Sequence, residues 1–301
     1  MPGRPLPARR PLSLAAGTLL AGALALCGCP KISFLEDHPV TPWPTVVLMH
    51  RGGGSNPDYV QNTLPAVAYG CSVLDGPEVD IQLSADNTLW LGHDNATLDC
   101  AGNEIGCFQD LGDGQIDAVA YCDGAAPCAA GSTPTCQQHY VRLEEVMAFL
   151  ATSEPTKTIS LDIKGQYCKS LGVADAQHMA NGVDRVVRQY GMAYRVLVET
   201  EQKAFLQRIM DNQTPVYSFV VSLGDIDGPL SEAANLGATG ISFKYAPGSE
   251  PLDASVVAGI HQKGFRIIVW TIDAPADIQA VWPTRSDVIE TDNPDFMSYV
   301  P

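Results

Sequence analysis

From Thr45 onward the chain alternates short β-branched or apolar runs with longer amphipathic ones, a rhythm that leaves few folds open to it. Strand-like runs span Thr45–Met49, Glu78–Leu83, Leu89–His93, Thr158–Ile163, Arg195–Val198, Val216–Val221, Gly240–Lys244, Arg266–Thr271 and Asp287–Glu290. Only Ser84 to Thr88 separate the second run from the third, too few residues for the crossover that parallel strands require. Leu89–His93 therefore reads as a hairpin return. The other eight runs alternate with helical stretches such as Leu143–Thr152, Asp175–Tyr190, Gln202–Asn212 and Asp253–Lys263. Eight parallel strands with crossover helices predict an α/β fold, a TIM-type (β/α)8 barrel occupying residues 45–301.

The stretch from about 95 to 139 is too long for an ordinary connection, and it holds Cys100, Cys107, Cys122, Cys128 and Cys136. It reads as a small Cys-rich insertion after the second strand, over the barrel mouth. Without a Cys-x2-Cys pair, and with His139 as the nearby imidazole, its cysteines point to disulfides rather than zinc. Cys71 and Cys168 are expected to pair or to lie buried as thiols.

Residues 1–28 have the arginine-bearing start and the Leu/Ala/Gly run of a signal peptide, closing in Leu26-Cys27-Gly28-Cys29. That ending resembles the bacterial lipobox, in which a small residue precedes the acylated cysteine. Gly28 satisfies this for Cys29, whereas bulky Leu26 precedes Cys27. Residues 29–44 then form a Pro-rich tether, and the chain is expected to be an exported lipoprotein at the cell envelope. Its formal charge of −16 becomes −19 once the signal's three arginines, and no acid, are removed. Such a charge excludes nucleic acid and an anionic lipid surface as partners, leaving the lipid anchor as the membrane contact.

Candidate chemistry gathers at strand ends, where TIM-barrel sites form. The first strand ends in His50-Arg51-Gly52-Gly53-Gly54. Glu78 and Asp80 stand at i and i+2, on one face of a strand whose alternate residues are apolar. A hairpin turn centred between Asp86 and Asn87 sets His93 opposite Asp80, with Asp94 able to orient His93 or cap the turn. Asp162 and Lys164 repeat the same-face spacing on another strand, as a metal oxygen with a phosphate-binding lysine or as an internal ion pair. Trp270 ends a further strand as core filler or substrate wall. Two imidazoles, three carboxylates, an arginine and a lysine on one rim suit a phosphodiester, whose negative charge and poor electrophilicity call for a divalent cation, basic side chains and paired proton transfer.

Taken in order, His50-Arg51-Gly52, Gln61-Asn62-Thr63, Glu78-x-Asp80, His93-Asp94, Asp162-x-Lys164, Trp270-Thr271 and Thr291-Asp292-Asn293-Pro294 resemble the glycerophosphodiester phosphodiesterase family. The resemblance implies hydrolysis of glycerophosphodiesters to glycerol 3-phosphate and an alcohol. It makes His50 and His93 the acid/base pair, and Glu78, Asp80 and Asp162 the ligands of Ca²⁺ or Mg²⁺. Arg51 and Lys164 would meet the phosphate, and Trp270 the glycerol. Gln61 and Asp162 depart from the pattern, which commonly has Glu at both. The aspartate-x-lysine strand is also similar to the sphingomyelinase D group, and the two departures equally suit a lipoprotein that binds glycerophosphodiesters without turnover.

Acylation at Cys29 is directly measurable: intact-mass analysis of membrane-fraction protein should show a chain beginning at Cys29 with added lipid. A different start without acyl mass would refute it.

Overall fold

The computed structural model describes residue 40 and residues 42–94, 96–122, 138–164, 172–246 and 252–301. The expected signal peptide, the expected acylation site Cys29, and Cys128, Cys136 and Cys168 lie outside the described residues. Among the described residues no helix is long and apolar enough to cross a membrane.

Eight parallel strands form the barrel wall: β1 (Val46–Met49), β2 (Gly76–Leu83), β8 (Ile159–Ile163), β9 (Val196–Thr200), β10 (Tyr217–Ser222), β11 (Gly240–Lys244), β12 (Arg266–Trp270) and β13 (Val288–Thr291). Each pairs with the next in this order, and β1 pairs with both β2 and β13, which closes the sheet. Helices α1 (Leu64–Val73), α3 (Leu143–Thr152), α4 (Val173–Gln189), α5 (Lys203–Asp211), α6 (Asp227–Leu236), α7 (Ala254–Gln262) and α8 (Pro275–Val281) fill the crossovers. Local chemistry marks their ends. Thr63 caps α1 ahead of a proline in its first turn, Asp253 accepts the Ser255 and Val256 amides at the start of α7, and left-handed Gly237 ends α6.

The period of two along each strand sorts the core into two shells. Val47, Val79, Leu161, Val198, Ile241 and Ile289 join the large cluster under the helices, whereas Leu48, Leu197, Phe219, Ile268 and Val288 form a separate cluster inside the wall.

The hairpin strand β3 (Leu89–Leu91) returns antiparallel on β2 as expected, but its register differs by one residue. Ile81 faces Leu91 and Leu83 faces Leu89, so the turn centres on Asp86 and Gly92, not His93, stands opposite Asp80, donating its amide to the Asp80 carbonyl at 3.0 Å. Left-handed Asn87 and the Ser84–Thr88 backbone bond at 2.9 Å accommodate this odd-numbered loop. His93 consequently lies beyond the ladder.

In the insertion, β4 (Ala96–Leu98) pairs with β5 (Glu104–Cys107), and α2 (Asp113–Asp117) leads to β6 (Ala120–Tyr121), which pairs with β7 (Gln138–His139). Trp90, Phe108, Ile116 and Tyr140 build its own small core. Cys100 and Cys122 form a disulfide across it, and Cys107 is disulfide-bonded too. Cys71 is a buried free thiol, pushed up to about 12 first by burial and then by Glu154.

At the opposite end of the barrel, fully buried Asp287 accepts hydrogen bonds from Trp43 N (2.9 Å), Arg266 Nη1 (2.9 Å), His261 Nε2 (2.8 Å) and Ile267 N (3.0 Å). The Arg266 guanidinium lies 4.1 Å over the Trp43 ring, which packs edge-on against Tyr217. One carboxylate thus ties the entering chain to the barrel floor. Replacing Asp287 with Ala leaves Arg266 and His261 without it, and should cost about 3–5 kcal/mol in urea unfolding. A loss below about 1 kcal/mol, the range of an exposed pair, would show that the network does not hold the floor.

Candidate active site

Glu78 and Asp80 are inward-facing residues of a strand buried along its whole length. The β2–β8 register sets Asp80 beside Asp162, and one oxygen from each of Glu78, Asp80 and Asp162 lies within 4.8 Å of the others. This is the carboxylate cluster read from the sequence, assembled by strand pairing.

Each carboxylate is held from a different side. Asn62, in a left-handed conformation ahead of α1, donates Nδ2 to Asp80 Oδ2 at 2.7 Å and accepts the Asp80 amide at 2.9 Å. Arg51 donates its amide to Glu78 Oε2 at 2.8 Å, places Nε 3.4 Å from Asp80 Oδ2, and donates Nη1 to Gln61 Oε1 at 2.9 Å. Gln61 therefore orients the guanidinium as a neutral acceptor. Lys164 bridges Asp162 and Asp80, its Nζ 2.7 Å from Asp80 Oδ1.

The loop carrying His50 and Arg51 needs its glycines. Gly52 has φ +73° and lies against the α1 backbone, where a Cβ would come within 2.9 Å of Val67 N; Gly54 has φ +55° and lies against the Asp292 carbonyl. That approach brings Asp292 to His50, whose Nδ1 is 2.8 Å from Asp292 Oδ1 while Nε2 lies 3.9 Å from Glu78 Oε2. His93 makes the matching pair with Asp94, Nδ1 to Oδ1 at 3.1 Å, and this bond holds the Asp94 carboxyl below its ordinary value. Although displaced from the ladder, His93 still adds to the positive field that stabilises ionised Asp80. In both imidazoles Nδ1 is engaged by a carboxylate, which leaves Nε2 as the nitrogen available for proton transfer. Trp270 packs on the inner apolar cluster and donates Nε1 to Ser242 Oγ at 2.7 Å.

Burial opposes ionisation of Asp80, but Lys164 and Arg51 outweigh it and hold the carboxyl at about 2. Asp162 goes the other way, raised to about 6 by burial and by Asp80 and Glu199 despite Lys164. Glu78 is driven well above the usual carboxylate range by burial, then by Asp80 and Asp162. Glu78 Oε1 is buried without a hydrogen-bond partner, whereas Asp80 Oδ1 is paired with Lys164 Nζ at 2.7 Å. A hard divalent cation bound by oxygen fits the orphaned Glu78 oxygen and relieves the repulsion among the three carboxylates.

His50, Arg51, Glu78, Asp80, Asp162 and Lys164 thus come together, His93 acts on Asp80 by a route that needed correction, and Trp270 lies on the inner wall against Ser242. Two inward carboxylates were not singled out. Glu199 and Glu290, buried on β9 and β13, lie beneath the rim. The expected fifth strand stopped at Val198, one residue short of Glu199, whose inward position follows from its i+2 spacing to Leu197.

A barrel carrying this rim falls within the phosphodiesterase class. The Glycerophosphoryl diester phosphodiesterase family profile matches residues 50–296, and the chain belongs to that family. Solved structures share the fold. A glycerophosphodiester phosphodiesterase from Parabacteroides distasonis aligns at 18% identity and TM-score 0.67 over 86% of this chain and 97% of its own. An Oleispira antarctica phosphodiesterase, in complex with the product sn-glycerol-3-phosphate, aligns at 16% identity and TM-score 0.67 over 84% and 96%. An Agrobacterium tumefaciens glycerophosphodiester phosphodiesterase aligns at 22% identity and TM-score 0.61 over 85% and 100%. No curated protein matches by sequence.

The raised carboxyls give metal binding a definite pH dependence. In metal-free protein, Asp162 at about 6 against an ordinary 3.8 means the fold retains a proton that the unfolded chain has released. Metal-free stability therefore falls as pH rises through that window, while a cation that binds ionised carboxylates gains. The rise in melting temperature produced by Ca²⁺ or Mg²⁺ should be larger at about pH 7.5 than at about pH 5. An equal or reversed increment would contradict the carboxylate site.

Proposed function

We propose that the protein hydrolyses glycerophosphodiesters to glycerol 3-phosphate and an alcohol, with a divalent cation, Ca²⁺ or Mg²⁺, held by Glu78, Asp80 and Asp162. The observation that carries this reading is the pair of carboxylate-oriented imidazoles, His50 with Asp292 and His93 with Asp94, on the rim that holds the three-carboxylate cluster. Family membership and the product bound by the Oleispira antarctica relative support it.

When bound, the cation would offset the phosphate's charge and polarise it toward attack. Arg51 and Lys164, already paired to Asp80, present the remaining positive charge to the phosphate oxygens. One imidazole takes through Nε2 a proton from the attacking water as its oxygen bonds to phosphorus, and the other gives a proton to the alkoxide as its bond to phosphorus breaks, leaving glycerol 3-phosphate and the free alcohol. Asp292 and Asp94 keep each ring oriented. Trp270 walls the side of the slot that receives the glycerol carbons.

The deciding experiment incubates the purified protein with Ca²⁺ or Mg²⁺ and a panel of glycerophosphodiesters, reading released glycerol 3-phosphate. Replacing His50 or His93 with Ala should cut turnover at least about 10²-fold with little change in metal affinity. Glu78→Ala or Asp80→Ala should instead be partly restored by excess metal, because mass action offsets weakened ligation. Binding of the diesters without turnover would favour a binding lipoprotein, and near-normal turnover by His93→Ala would remove it from the acid/base pair.

A further inference from the structure

Glu199 is buried at the heart of the barrel, outside the three-carboxylate cluster, yet it is richly supplied with donors. Ser160 on β8 donates its hydroxyl to Glu199 Oε1 at 2.6 Å, and Ser242 on β11 donates to Oε2. Burial, reinforced by the charges of Glu199 and Glu78, pushes the neighbouring Glu290 carboxyl on β13 well above the usual carboxylate range. Ser160 and Ser242 are wholly buried. The chain of bonds continues upward, since Ser242 Oγ accepts the Trp270 indole N–H at 2.7 Å.

The direction of every bond in this chain is determined. An indole N–H can only donate, and a serine hydroxyl has a single proton. Because Glu199 accepts that proton, the oxygen's lone pair is left facing Trp270. A side chain at 199 that itself donated to Ser242 would set two donors against one oxygen.

We propose that Glu199, acting through Ser242, is a positioning residue that fixes Trp270 as a rigid wall of the substrate slot. This inference rests on the glycerophosphodiester reading of the rim. The indole's lower side packs on the inner apolar cluster, and Lys244 Nζ lies 5.5 Å from the ring centre, so the N–H bond is what fixes rotation about the remaining free direction. A wall held before substrate arrives spares the ordering cost on binding, so loosening it raises KM more than it lowers kcat.

The test is a double-mutant cycle on Ser242→Ala and Trp270→Phe, with Ser242→Thr, which keeps the hydroxyl, and isosteric Glu199→Gln alongside. Two quantities are read: KM and kcat for a glycerophosphodiester at saturating metal, and the emission of Trp270 in substrate-free protein, taken as the difference from the matching Trp270→Phe protein. Ser242→Ala should raise KM roughly tenfold with a much smaller change in kcat, and shift and broaden the Trp270 emission. Glu199→Gln should follow it in both readouts, and Ser242→Thr should restore both. In the Trp270→Phe background, Ser242→Ala should change nothing further. Unchanged Trp270 emission in Ser242→Ala or Glu199→Gln, or losses that simply add in the cycle, would overturn the proposal. If the wild-type protein turns over no glycerophosphodiester while the emission changes appear as expected, the substrate reading fails and the positioning of Trp270 stands.

Discussion

Two carboxylates two residues apart on one buried strand are the constraint around which the molecule is arranged. Glu78 and Asp80 cannot reach bulk water, and each repels the other and Asp162. Removing a carboxylate from water without compensation costs several kcal/mol, so the surroundings must answer it. Asn62 grips Asp80 with both ends of its amide, Arg51 supplies an amide to Glu78 and a charge to Asp80, and Lys164 spans two strands to reach both aspartates. What these groups leave unsatisfied defines the place for a cation. The left-handed backbone at Arg51, Gly52, Gly54 and Asn62 follows from the same demand, because it turns the loop after β1 back over β2.

The two ends of the barrel solve opposite problems with the same residue type. At the floor one carboxylate, Asp287, meets four donors and closes the structure around the entering chain. At the rim several carboxylates meet too few donors and leave the structure open to a ligand. Between them lies a middle layer in which Ser160 and Ser242 both donate to Glu199 and Glu290 stands nearby, so polar groups run through a barrel interior that is apolar at its base. Burial and the neighbouring carboxylates oppose ionisation of Glu290 in that layer.

The insertion shows how position along the chain becomes position in space. It departs at the end of the β2–β3 hairpin, immediately after His93 and Asp94, and therefore emerges at the rim. Its core packs on Trp90 of β3, and Phe108 lies so close to Gly92 that a Cβ there would meet its ring at 2.8 Å. The disulfide between Cys100 and Cys122 joins its two limbs.

Much of this was legible in order along the chain. Strand periodicity sets which residues point inward, and the short gap from Leu83 to Leu89 permits only a hairpin, so the closed barrel and the shared face of Glu78 with Asp80 follow from the sequence alone. The spacing of Asp162 and Lys164 and the strand-end places of His50 and Trp270 follow in the same way. Register does not, because it depends on turn geometry: left-handed Asn87 lengthens the turn, and His93 leaves the ladder while remaining near Asp80. The partners of Glu199 were equally out of reach. Glu199, Ser242 and Trp270 lie on three different strands, and only closure of the sheet, which gathers side chains from distant segments inside the wall, brings them into contact.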